Sequence, residues 1–223
     1  MSDDSFIREV EEELRTDKLK AFWSRFGALI IGGAIAIALG TAGFVGWQSY
    51  TTNQANASGD RFLEALNLAN EGNSQEALDR LAELEADGYG QYAVLARMRA
   101  ASERHNAGNT DQAVADFDAI AADNSVPVAL RDAARVRAAY LLVDAGSYED
   151  VANRAEPLTA GDNAFRHSAR EALALSAWKN GRADDALRLI DELLADTVVP
   201  SGIAQRAQII RDMIISSGQV SQG

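Results

Sequence analysis

Between Arg25 and Asp60 the chain carries no Asp, Glu, Lys or Arg, and its strongly apolar part, Gly27 to Trp47, reads "GALIIGGAIAIALGTAGFVGW". As a helix rising about 1.5 Å per residue this run reaches about 31 Å, the thickness of a hydrocarbon core of about 30 Å. Trp23 lies on one side and Trp47 and Tyr50 on the other, where amphipathic rings settle at a membrane surface. A buried helix of a soluble core needs neither this length nor aromatic collars. A cleaved export signal is the stronger rival, since Ala55-Asn56-Ala57 has the small-x-small form of a cleavage site. That triplet ends ten residues beyond Trp47, and the leader holds seven acidic residues against five basic ones. Signal peptides have a short basic leader and an apolar run of roughly 7–15 residues. The sequence therefore predicts an uncleaved transmembrane helix over 26–48, after a leader over 1–25 and before a linker over 49–59 and a domain over 60–223.

The flanks give the orientation. Arg15, Lys18, Lys20 and Arg25 crowd the N-terminal side, and the first basic residue after the span is Arg61. Basic residues stay cytoplasmic and acidic ones count for little, so the N-terminus is expected in the cytoplasm and the large domain across the membrane, which in a bacterium is the periplasm. That domain holds 16 basic and 26 acidic residues. Such a balance argues against a phosphate-backbone partner, which needs clustered Lys and Arg, and against lying flat on anionic lipid. With no Cys there is no disulfide framework, thiol nucleophile or thiolate metal site.

The domain repeats itself. "EGNSQEALDRLAEL" from Glu71, "AGNTDQAVADFDAI" from Ala107, "AGSYEDVANRAEPL" from Ala145 and "NGRADDALRLIDEL" from Asn180 align on Gly72, Gly108, Gly146 and Gly181, which stand 36, 38 and 35 residues apart. Periods of this size signal a solenoid of helix pairs. Each Gly is expected to end a helix in the left-handed conformation, with Ser74, Thr110 and Asp184 as caps for the next. Small or slim residues recur five after the Gly (Ala77, Ala113, Val151, Ala186) and seven before it (Ala65, Ala101, Ala139, Ala174). Larger ones recur twelve after it (Leu84, Ile120, Leu158, Leu193). Small against large at fixed offsets suits close-packed helical hairpins. Pro157 should shorten or kink the second helix of the third unit, and a helix over about 202–216 should close the open end. The fold class is thus all-α: one transmembrane helix, then a solenoid of four hairpins and a capping helix.

The units resemble the tetratricopeptide repeat in their small early residue, turn Gly and second-helix positions. They depart from it where Arg61, Arg97, Arg135 and Arg170 replace the bulky aromatic near each start. These arginines either form a basic ladder for an acidic partner or, the favoured reading, pair with acids on neighbouring helices such as Asp79 or Asp116. In tetratricopeptide arrays the first helices line the concave face; projected onto this chain the lining includes Phe62, Leu66, Leu95, Met98, His105, Tyr140, Val143, Leu175 and Trp178, a groove whose Phe62, Met98, His105, Tyr140 and Trp178 are able to hold an apolar segment. In the span, Ala28, Gly32, Ala36 and Gly40 make a smooth face that another membrane helix can approach. The leader reads as an amphipathic helix with Phe6, Ile7, Val10 and Leu14 on one face. No phosphate loop, dinucleotide fingerprint or nucleophile elbow is present, and His105 and His167 stand in different units. An enzyme, a cofactor, a metal and a small-molecule substrate are not expected.

The leader "FIREVEEELRTDKLKAFWSRFG", the span ending "GFVGWQSY" and the repeats "YAVLARMRAASERHNAGNTDQAVADFDAI" and "REALALSAWKNGRADDAL" together resemble the YfgM-like family, the ancillary SecYEG translocon subunits of proteobacteria. The resemblance implies a bacterial inner-membrane protein that docks on the Sec translocon and meets periplasmic chaperones or emerging clients. The alternatives are a scaffold subunit of another envelope assembly complex, for cell division or outer-membrane biogenesis, and a soluble enzyme subunit released after Ala57.

Overall fold

The computed structural model describes residues 3–220, and side chains at 15, 16 and from 18 onward. The described residues form α1 (Asp3–Asn70), α2 (Ser74–Asp87), α3 (Tyr92–Asn106), α4 (Thr110–Ala122), α5 (Val128–Ala145), α6 (Tyr148–Ala155), α7 (Arg166–Lys179), α8 (Ala183–Leu194) and α9 (Ser201–Ser216), with one 3-10 turn at Glu156–Leu158. By internal contacts the chain divides into two units, one ending at Asn56 and one beginning at Ala57.

In the first unit the apolar run is helical throughout, with a mean hydropathy of 2.2 over its best 18-residue window and none of that window buried. It is one helix long and apolar enough to cross a membrane. Its one polar group in the apolar centre is satisfied locally, because the Thr41 hydroxyl donates to the Ile37 carbonyl at 2.8 Å. The rings of Phe22 and Phe26 lie 5.1 Å apart at one end, and those of Trp47 and Tyr50 6.4 Å apart at the other. A Cβ built on Gly32 or Gly40 would meet nothing within 4 Å. The face of Phe6, Ile7, Val10 and Leu14 lies outside the described side chains. Residues 49–59, the expected linker, are helical too.

The second unit starts packing at its first turn. The Tyr89 N–H donates to the buried Ser58 hydroxyl at 2.9 Å, and the Tyr92 hydroxyl stands 2.9 Å from where a Cβ on Gly59 would be. From there the helices pair in order: the end of α1 with α2, α3 with α4, α5 with α6, α7 with α8, and α9 closing the row. All twelve fixed-offset positions, from Ala65 and Leu84 to Ala186 and Leu193, are at most 1% exposed. Alanine on the first helix lets the backbone of the second approach, and the larger residue fills what remains. Three core clusters follow one another along the array, around Leu81 and Leu84, around Phe117 and Ile120, and around Leu173, Ile190 and Ile214. Each unit thus packs on its neighbours. Pro157 acts as expected: α6 has 8 residues and runs into the 3-10 turn.

Two local expectations are corrected. Gly72, Gly108 and Gly181 have φ of 86°, 87° and 75°, but Gly146 is extended at φ −116°, ψ 178°. There the constraint is space, since a Cβ would meet the Leu142 side chain at 3.0 Å and its carbonyl at 3.1 Å. The capping residues differ as well. Ser74 and Thr110 are the first helical residues, and their helices show no side-chain cap bond; Asp184 lies one residue inside α8, whose N-cap is Arg182 and likewise has none. The left-handed Gly leaves the next residue (Asn73, Asn109, Arg182) at ψ between 53° and 61°, away from the extended conformation that aims a cap inward. In the third unit, where the Gly is extended, Ser147 and Asp150 form a full capping box.

These two kinds of glycine predict different mutational orders. At Gly108, Ala should cost about 1–2 kcal/mol through the left-handed backbone and Asn less, because its side chain tolerates that region. At Gly146 Ala and Asn should both destabilise, Asn the more, by crowding Leu142. Urea unfolding of the four variants checks this ordering.

Candidate functional site: the first-helix face of the array

The arginines that replace the repeat-start aromatics are structural in the first two units. Arg61 reaches Asp87 at 2.8 Å and Arg97 reaches Asp123 at 2.9 Å; each spans 26 residues, from the first helix to the end of the second. This clasp is the pairing reading, with partners other than Asp79 and Asp116, the latter being held by Arg104 at 2.5 Å. In the third unit the equivalent position is Gly161, and Arg135 turns to Asp132 at 2.7 Å. In the fourth, Asp196 is taken by Arg166 at 3.0 Å and His167 at 2.8 Å, while Arg170 donates to the Thr159 carbonyl at 3.1 Å. Hydrogen bonds from Ser125 and Arg97 hold the Asp123 carboxyl down to about 2. Those from the Val198 N–H, His167 and Arg166 hold Asp196 well below the ordinary carboxylate range.

The remaining network gathers on the first helices. Glu171 on α7 is 1% exposed. It accepts two hydrogen bonds of 2.7 Å from Arg206 on α9 and one of 2.8 Å from the Tyr140 hydroxyl on α5. A buried carboxylate is tolerable only when so surrounded. Burial and then the bond to Glu171 push the Tyr140 phenol above its usual range, so it remains a donor. The network ties the capping helix to the array.

Tyr140 and Arg206 also line a cavity of about 530 Å³, together with Met98, His105, Phe117, Arg137 and Phe165. Of the nine residues projected onto the concave lining, Met98, His105 and Tyr140 are brought together here. His105 is exposed at the end of α3, its Nδ1 3.0 Å from the Thr110 hydroxyl. Trp178 lies apart, in a second groove of about 440 Å³ with Val143, Leu175 and Ser217. Phe62 belongs to the first core cluster, its ring 6.2 Å from that of Tyr92. Arg137, Phe165 and Arg206 were not anticipated. Arg137 and Phe165 fall outside the projected list, and Arg206 reaches the cavity from the capping helix. Among the described residues no group of three or more His, Asp or Glu side chains could hold a metal ion.

The fold and this face define a helical-repeat scaffold of the kind that binds other proteins. Residues 20–172, more than half of the chain, match the family described as a tetratricopeptide repeat-like domain, and the chain belongs to that family. No curated protein and no solved structure was found to match.

Two outcomes follow. Replacing Arg206 by Leu should destabilise the array by about 2–4 kcal/mol, because Glu171 keeps a buried charge with one donor; replacing Glu171 and Arg206 together by Leu should cost less than Arg206→Leu alone. A double-mutant cycle by urea unfolding measures both. A depressed carboxylate contributes stability that is whole above its unfolded value of about 3.9 and is lost as pH falls through the folded value, about 2 for Asp123. The melting temperature should therefore drop between about pH 4 and about pH 2, and Asp123→Asn should make that drop shallower.

Proposed function

We propose that this chain is a membrane-anchored protein-binding module of the bacterial inner membrane, with a cytoplasmic N-terminus and a periplasmic array that acts as an ancillary part of the Sec translocon. The observation that carries it is the coupling of one unburied apolar helix to a tetratricopeptide-like array in a single chain. The basic residues at 15, 18, 20 and 25 support the orientation. The resemblance of the leader, span and repeats to the YfgM-like subunits supports the translocon as the docking partner. The smooth face of Ala28, Gly32, Ala36 and Gly40 supplies a surface for a neighbouring membrane helix. Anchoring keeps the array close to the membrane, where its effective concentration near emerging chains is high. On this reading the array holds a periplasmic chaperone or an emerging client on the face of Met98, His105 and Tyr140.

The resemblance favours the translocon over the alternative of a scaffold for cell division or outer-membrane biogenesis, and the two differ in what they retain. A C-terminally tagged chain, solubilised in mild detergent, should retain SecYEG subunits. A variant whose residues 26–47 are replaced by an all-leucine span of equal length should stay in the membrane and lose most of them. Stable, stoichiometric recovery of a different envelope complex, with no Sec subunit, would contradict the docking assignment.

A further inference from the structure

The first-helix cavity differs in charge from the rest of the domain. After the span the chain has 16 basic residues, and nearly all are committed. Arg154 grips Asp118 with two bonds of 2.9 and 2.6 Å, Arg211 holds Asp191 at 2.7 Å, and Lys179 holds the Asp144 carbonyl at 2.6 Å. Arg131, lacking an acid, donates to the Asn124 side-chain oxygen at 2.9 Å. Arg137 has no hydrogen bond, ion pair or ring contact among the described residues. It sits on α5, exposed, on the wall of the 530 Å³ cavity. The other cation on that wall, Arg206, gives two N–H groups to Glu171, and its side chain is still 56% exposed.

Apart from the polar Ser102, His105, Asn106 and Ser168, the remainder of the wall is apolar or aromatic, with Met98, Phe117, Val136, Tyr140, Leu141 and Phe165 as its larger members. An arginine left open beside such a wall is matched by an anion carried on an apolar body, not by a polyanion. A nucleic acid would need many clustered cations, and this domain is strongly acidic. Residues of α3, α5 and α7 contribute side by side, so the wall follows successive units and suits a length of polypeptide more than a compact solute.

Building on the protein-binding reading above, we propose that this cavity receives an apolar polypeptide segment bearing an internal Asp or Glu, whose side-chain carboxylate is taken by Arg137 beside Arg206. A guanidinium offers a carboxylate two parallel N–H donors, and the apolar wall beside it lowers the competition from water. The flanking aromatic and aliphatic side chains of the segment lie on Met98, Tyr140 and Phe165. Arg137 then selects, and the wall provides most of the contact.

The test uses the full chain in detergent micelles and fluorescein-labelled nonapeptides that are acetylated and amidated at their ends. These form a library of Leu, Met and Phe around a fixed central Glu, with a matched library carrying Gln, read by fluorescence anisotropy. Binding to the Glu library should be about 10-fold tighter than to the Gln library. Arg137→Gln should abolish that preference, weakening the Glu library by about 10-fold more than the Gln library, with the melting temperature unchanged. Arg137→Glu should reverse the preference towards a central Lys. Equal binding of the Glu and Gln libraries by the parent chain overturns the carboxylate assignment and leaves the groove reading standing. Tighter binding of Gln peptides with a free C-terminus than of amidated Glu peptides also overturns it, because the anion would then be terminal. Binding of neither library overturns both the assignment and the groove reading.

Discussion

How closely two helices can cross depends on the residue at the crossing, and in this chain that residue is alanine, or valine once, in every unit. Ala65, Ala101, Ala139 and Ala174 are completely buried. A larger side chain at any of them would separate the hairpin and break the contact of Leu84, Ile120, Leu158 or Leu193 with the facing helix. Because the crossing recurs at fixed spacing, the units stack into a row, and residues of successive first helices come to share one face. The cavity beside Tyr140 is a product of that stacking, with α3, α5, α7 and α9 each contributing a part of the wall. Packing of the smallest residues therefore positions the larger ones that line the cavity.

Electrostatics then sorts the surface. An array so rich in acids repels itself unless the cations are spent locally, and they are. Arg61 and Arg97 clasp the ends of their own second helices, and Arg154 joins α6 to α4. Exposed pairs of this kind contribute little energy singly; their effect here is to leave Arg137, among the described residues of the array, as an uncommitted cation on a largely apolar cavity wall. The buried Glu171 is the opposite case. Its charge is surrounded by Tyr140 and Arg206, so the capping helix is held by a bond whose loss leaves a buried carboxylate short of donors.

Much of this was legible in the residues themselves. Gly72, Gly108 and Gly181 mark three helix ends, Pro157 marks the shortened α6, and the charge-free run marks the long apolar helix. The offset positions name the core because packing between adjacent helices is a local, periodic constraint. Gly146 misled because one residue type serves two ends, left-handed backbone in three units and room beside Leu142 in the other. The Arg–Asp clasp had a visible signal, a separation of 26 residues repeated twice, which a search among i to i+4 neighbours does not meet. The Glu171–Arg206 bond had none. Its partners are 35 residues apart and meet because the capping helix α9 packs on α7, a contact no local spacing announces, which also explains why Arg206 was not placed on the cavity wall.

The account rests on the first-helix face being where another protein is held. A photo-reactive amino acid placed at His105, on the cavity, and in a second variant at Glu76, exposed at the start of α2, compares the two faces inside living cells. Discrete protein adducts from position 105 and few from position 76 are the result expected here. Adducts of equal or greater yield from position 76, with none from position 105, would contradict it.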